Sequence, residues 1–395
     1  VINRISTYTT KECLFLRNAY LSSFLVFLAA LGFVLTARAE VRDIMNQLME
    51  QVFILKPLIA SEARFNDPAN AAEISAALGT MVALSKQVNH EERIKQTGFQ
   101  MSGAILTEQL EDVETIFDIG NKNYALMSLK STLGACMACH TQLPAVSTQF
   151  TTENQSRVLA DPFEEAEFLF LIRNFDAAMS LYQQVIQGYP LNQVQSRDLE
   201  IALYRQIYYY VRVARDMNGL SNALRSNREN QQLPVRLQNQ LKGLIATVDA
   251  VKTENYPYFT DAQGADLQRY AQAQLIEDTG GGVSLDSPGK MIALLKLSSV
   301  LYQYLDENPQ TSLKPEILYW LSFGERRYFY PSLHSLPSLY LKQCVLDYPQ
   351  SAVAKQCFAE YENIITLLFT GSGGTNIPDD MTAELSMMRS LVGGR

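Results

Sequence analysis

Histidine is scarce in this chain of 395 residues, which holds only His90, His140 and His334. Three imidazoles leave no material for a histidine-rich metal cluster. Cysteine is nearly as sparse, with five residues, and tryptophan occurs once. Charged residues make up 19% of the chain, a little under the quarter usual for soluble domains, while 47% are apolar, enough for substantial cores. Positive charge is the sign in deficit. Formal net charge is −8, and four of the 33 basic residues and one of the 41 acidic ones fall within residues 1–39. The remainder carries 29 against 40, a net charge of −11. A chain of that sign is repelled by phosphate backbones, which argues against a nucleic-acid partner. A phosphate-binding loop is missing too. Before Gly289-Lys290, position 284 is serine where that motif needs glycine, and Met291 follows where it needs Ser or Thr.

What the chain does have is Cys136-Met137-Ala138-Cys139-His140, closing a helical run that starts near Leu126. C-x-x-C-H is the pattern for covalent haem attachment. Two thiols add across the vinyl groups of a haem, and the adjacent imidazole reaches the iron from one side. The cysteine pair alone could instead be a dithiol redox centre or half of a zinc site. A zinc site needs two more ligands nearby, and the region offers none. A thioredoxin-like centre needs a βαβ setting, and the surroundings read as helix. The motif thus predicts one covalent haem c, attached through Cys136 and Cys139, with His140 as the proximal iron ligand.

The first forty residues agree with that chemistry. Val1 to Tyr20 carries Arg4, Lys11 and Arg17; Leu21 to Thr36 is almost wholly apolar; and Ala37-Arg38-Ala39 offers small residues where a signal peptidase inspects the chain. This reads as a signal peptide over residues 1–39, cleaved before Glu40. Cys13 precedes the apolar run, which argues against a lipoprotein. Bacterial haem ligation takes place on the outer side of the inner membrane, so the expected location is the periplasm.

Four helical patterns follow in residues 40–147. Ile44, Met45, Leu48, Met49, Val52 and Phe53 recur at helical spacing, with a break expected near Pro57. Asn66-Asp67-Pro68 is a turn and helix start, and Ala69 to Val88 gives the second pattern. Arg93 to Ile119 gives the third, closed by Gly120-Asn121, and Tyr124 to His140 the fourth. Such helices with short links make an antiparallel four-helix bundle holding its cofactor between them. With C-x-x-C-H on the last helix, the region resembles the cytochrome c′ family. Gln47-Leu48-Met49-Glu50 is similar to the first-helix segment of its methionine-ligated, low-spin branch. The resemblance implies Met49 as the distal iron ligand, with Met45 one turn earlier as second choice; a methionine on an apolar face is also common core filler. After the motif this chain departs from the family. Thr141-Gln142-Leu143-Pro144 stops the helix and omits the usual aromatic and basic residues. His90 falls between helices and reads as a solvated loop residue.

Residues 155–395 read as a second all-α region. A helix over Asp161 to Phe170, the turn Asn174-Phe175-Asp176 and a helix ending at Gly188-Tyr189-Pro190 resemble a tetratricopeptide repeat, with Ala166 and Ala178 where paired helices approach. Leu199 to Asp216 with Gly219 to Arg225, and then Glu316 to Arg327, Leu336 to Tyr348 and Ala352 to Phe369, repeat the idea in eroded form. Cys344 and Cys357 flank the Tyr348-Pro349 bend, where antiparallel helices bring them level for a disulfide worth roughly 2–3 kcal/mol. Thr279 to Lys290 and Gly371 to Pro378 read as flexible. The fold class expected is therefore all-α, a cytochrome c′-like bundle followed by hairpin repeats. The function expected is single-electron transfer, the repeats docking a redox protein partner or a second copy in a homodimer. Two alternatives stay open: a five-coordinate haem binding NO or CO, and an assembly scaffold carried by the repeats. Enzymatic activity is not expected, because the first helix offers methionines where a haem enzyme needs a distal acid or base, and no Ser-His-Asp set occurs.

Overall fold

Apolar residues at helical spacing need a partner face, and the chain satisfies them by packing helix on helix throughout. The computed structural model describes residues 41–59, 61–90, 97–142, 161–191, 194–276, 287–325 and 336–393, and it is all-α. Residues 1–40, over which a signal peptide was expected, the stretch 147–156, most of the 279–290 connection, His334 and the aromatic run Tyr328-Phe329-Tyr330 lie outside the described residues.

Helix α1 spans 41–59 and buries Ile44, Leu48, Met49, Val52, Phe53 and Leu55. Pro57 does not break it. The proline removes one i→i−4 hydrogen bond only two residues before the last described residue of the helix, residue 59, so few residues beyond it depend on that bond. Ser61 caps a single turn, α2 (Glu62–Asn66), which places Phe65 wholly inside. The Asp67 side chain accepts from the Ala69 N–H at 2.9 Å and starts the short 3-10 turn that leads into α3 (Ala71–His90). Helix α4 (Thr97–Asp118) ends on Gly120 at φ +89°, with Gly120 N–H donating to the Phe117 carbonyl and Asn121 N–H to that of Ile116. That pair of bonds closes a helix through one left-handed residue. Helix α5 (Lys122–His140) returns along α4. Ile74, Leu78, Leu110, Val113 and Leu129 join these helices in one core.

The second region opens with α6 (Pro162–Leu171), capped by Asp161, and α7 (Phe175–Gln187), which folds back on it. Ala166 and Ala178 are fully buried, so the two backbones come close. Helix α8 (Ser196–Tyr208) runs into a π-helical turn at Tyr209–Val213, followed by α9 (Met217–Arg228), α10 (Val235–Val251), α11 (Gly264–Ile276) and α12 (Pro288–Glu307). The pairing expected between residues 199–216 and 219–225 is weaker than that of α9 with α10. Helices α13 (Lys314–Glu325), α14 (Leu336–Asp347) and α15 (Ala354–Leu368) stack in order, and Cys344 and Cys357 are bonded across the α14–α15 bend with Cα atoms 6.2 Å apart.

The stretch expected to be flexible after residue 370 is structured instead. Strands β1 (Thr370–Gly371) and β2 (Gly374–Thr375) form the sole strand pairing among the described residues. Beyond them α16 (Asp379–Gly393) buries Leu385 and Met388, and its Glu384 accepts from Lys342 at 2.7 Å and Tyr361 at 2.6 Å.

The two regions are joined by more than sequence. Phe168 and Leu171 of α6, with Ile172 just after it, belong to the first core, while Phe163, Ala166 and Phe170 belong to a second. Met101 and Ile105 of α4 belong to a third core built mainly from α11 to α16. Lys56 of α1 pairs with Glu165 of α6 at 2.9 Å, both nearly buried, and its ammonium lies 3.8 Å from the Phe168 ring centroid. No described helix is long and apolar enough to cross a membrane.

Candidate cofactor site

Cysteines three residues apart on a helix share a face, so Cys136 and Cys139 of α5 turn toward the same space. That space is a cavity of about 50 Å³ lined from α1, α3, α4, α5 and the end of α6. Met45, Leu48, Met49 and Val52 line it from α1, Met81 and Val88 from α3, and Phe99 and Leu106 from α4. Cys136, Cys139 and His140 complete the wall from α5, together with Leu171. The structure therefore brings together every residue the sequence singled out for the haem, the two methionines included. His90 ends α3, exposed and apart from the cavity.

His140 is fixed by its neighbours. Its Nδ1 lies 2.7 Å from the Leu171 carbonyl oxygen, which can only accept, so Nδ1 carries the proton and Nε2 the lone pair. Burial, helped by the Arg173 charge, pushes the imidazole down to about 4, so the ring is neutral at physiological pH. A neutral histidine whose second nitrogen donates to a backbone carbonyl is the arrangement in which histidine binds a metal. The chain leaves α5 at once: Thr141 and Gln142 are buried, Gln142 Nε2 donates to Ser102 Oγ at 2.7 Å, and Thr141 is hydrogen-bonded to Tyr208 of α8.

Burial and the neighbouring Cys139 push the Cys136 thiol up to about 12. Burial pushes Cys139 up to about 11, against the opposing pull of Arg173 and a hydrogen bond with Ser102. A dithiol redox centre needs a depressed thiol pKa, so the environment disfavours that chemistry. Among the described residues no group of three or more His, Cys, Asp or Glu side chains converges as a bare-metal site. The donors present are two thiols able to form thioethers, one imidazole and two methionine sulfurs, around a largely apolar space. This set fits a flat, apolar, iron-centred cofactor.

Two contributors escaped the sequence reading. The Leu171 carbonyl is a backbone atom brought in by a later helix, and no side-chain pattern announces it. Arg173 sits in a turn where its charge reaches both His140 and Cys139. No family model, curated protein or solved structure matches this chain.

Proposed function

We propose that this protein is an exported, periplasmic mono-haem c-type cytochrome that passes single electrons. Its residues 40–147 form a cytochrome c′-like four-helix bundle, and residues 155–395 form tetratricopeptide-like hairpins that dock a protein redox partner. The observation that carries the reading is the convergence of Cys136, Cys139, His140, Met45 and Met49 on one apolar cavity, with His140 Nδ1 committed to the Leu171 carbonyl. Bound haem supplies a one-electron iron couple. Cys136 and Cys139 would hold it through thioethers and His140 through Nε2, with Met49 as a second donor to the iron. The apolar walls from α1, α3 and α4 exclude water from the centre and limit reorganisation when charge changes there. No proton transfer is asked of any side chain, which is why the role is electron transfer and not catalysis.

The absorption spectrum of the reduced protein, with and without CO, tests the reading. A sharp low-spin spectrum indifferent to CO is expected, and Met49→Ala should make the protein CO-reactive while Met45→Ala leaves it closed. A high-spin spectrum that shifts with CO in the unmodified protein would replace electron transfer with gas binding.

A further inference from the structure

We propose that the Lys56–Glu165 ion pair, with the rings of Phe53 and Phe168 beside it, is a positioning device for the distal iron ligand: it fixes the register of α1 against α6 and so holds Met49 in the cofactor cavity. This rests on the haem reading above and deepens it, because it makes the first helix of the second region decide whether the iron is closed to small ligands.

On α1, Met49, Val52, Phe53 and Lys56 are spaced i, i+3, i+4 and i+7, so they share one face. On α6, Glu165, Phe168 and Leu171 follow one another at steps of three. The two stripes meet in opposite order, as antiparallel helices require. Lys56 Nζ lies 2.9 Å from Glu165 Oε2, the Phe53 and Phe168 ring centroids are 4.8 Å apart, and Met49, Val52 and Leu171 line the cavity together. The Lys56 ammonium also sits 3.8 Å from the Phe168 ring centroid, so one cation ties the first two steps of the series. Its side chain is 7% exposed and that of Glu165 13%. An ion pair in such a place gains little over a well-packed apolar pair; what it supplies is register, because a slip leaves a buried charge without its partner. Moving α1 by one residue along its axis would shift Met49 by about 1.5 Å and turn it by about 100°. Met45 and Leu48 line the same cavity, so it is the register of α1 that selects Met49. Helix α6 is already held to the other side of the site, since the Leu171 carbonyl accepts the His140 Nδ1–H at 2.7 Å. One helix thus orients the imidazole and, through the ion pair, the helix that carries the methionines.

The test uses the full chain. Haem content and the reduced spectrum of the wild type come first; a protein without haem, or one whose spectrum CO shifts, overturns the electron-transfer reading and this proposal with it. Given a closed wild type, Lys56→Met removes the charge at similar length and Lys56→Arg keeps it. CO reacts only with molecules in which Met49 is off the iron, so at a fixed, sub-saturating CO concentration Lys56→Met should raise the CO-bound fraction about tenfold at full haem content. Lys56→Arg should stay within about twofold of wild type, since it retains the charge. In the Met49→Ala background, where that ligand is already gone, Lys56→Met should change the fraction by less than about twofold, whereas a merely structural pair would act alike in both backgrounds. An unchanged CO-bound fraction in Lys56→Met, an equal rise in both backgrounds, or equal opening by Lys56→Arg overturns the proposal and leaves the haem reading standing. If Lys56→Met does not fold, Glu165→Gln repeats the comparison, because it removes the other charge and keeps the shape. Loss of fold or haem from both makes the pair a general stability element and overturns the proposal.

Discussion

At Glu167 burial is the largest single influence and would raise the carboxyl, yet the group is held below the usual carboxylate range. Two Arg205 hydrogen bonds of 2.9 Å each and one from Tyr182 at 2.5 Å stabilise the ionised form and together outweigh desolvation. At Glu325 the same contest ends the other way. Burial pushes that carboxyl up although the Arg212 guanidinium lies 2.7 Å away. Because the folded-state pKa of Glu167 is depressed, its stabilisation is fully present above the unfolded value near ~4.3 and is lost as pH falls through the folded value. Glu167→Gln should therefore cost about 2 kcal/mol at pH 7 and flatten the acid limb of the stability profile. Urea titrations at pH 7 and pH 3 measure both effects, and equal stability of variant and wild type at pH 7 would show that the pair contributes nothing. At this scale the candidate cofactor residues Cys136, Cys139 and His140 were legible because C-x-x-C-H is written contiguously. The two methionines were singled out only by the resemblance of Gln47-Leu48-Met49-Glu50 to a known first-helix segment, since helical spacing alone marks them as core residues. The carbonyl that orients His140 was not, since a backbone acceptor has no signature of its own.

Helix ends were legible where a single residue must do something others cannot. Gly120 was readable as the stop of α4 because its φ of +89° suits a residue without a Cβ. A Cβ built there meets nothing within 4 Å, so Gly120→Ala tests the backbone term free of steric clash. The variant should lose about 1 kcal/mol, read from the denaturant midpoint, while Gly120→Asn loses less. A midpoint unchanged by alanine would mean that the turn has relaxed to another conformation. Helix α12 shows the opposite case. Thirteen of its twenty residues are buried, including Lys296, Ser298 and Ser299, so it presents no clear apolar stripe against a polar face. The hairpin after residue 370 was unreadable for a related reason: its four strand residues are all exposed, and burial has no part in their pattern.

Across the whole molecule, the two halves share surfaces that no local pattern announces. Phe168 of α6 packs its ring 4.8 Å from that of Phe53 in α1 and under the Lys56 ammonium, so a helix of the second region is part of the first core. Trp320, the single tryptophan, belongs to the third core, which also takes Met101 and Ile105 from α4. Unfolding followed by Trp320 fluorescence should therefore coincide with unfolding followed by far-ultraviolet circular dichroism. Phe168→Ala should destabilise the protein by about 3–5 kcal/mol and separate the two transitions. Non-coincident curves in the unmodified protein would mean that the halves are thermodynamically independent.

Local sequence was sufficient for the helical class, for most of the helix boundaries in residues 41–140, and for the placing of Cys136, Cys139, His140, Met45 and Met49 on helix faces. Those features depend on contacts a few residues apart, which the chain encodes within a turn or two. The closing of that set by Leu171, and the placing of the Leu171–Arg173 corner at the end of α5, depended on the packed chain. Both come to His140 from 31 or more residues away, through the docking of α6 against α1 and α5. Where such a helix docks is settled by the joint burial of faces from several elements, and that sum cannot be read from any one of them.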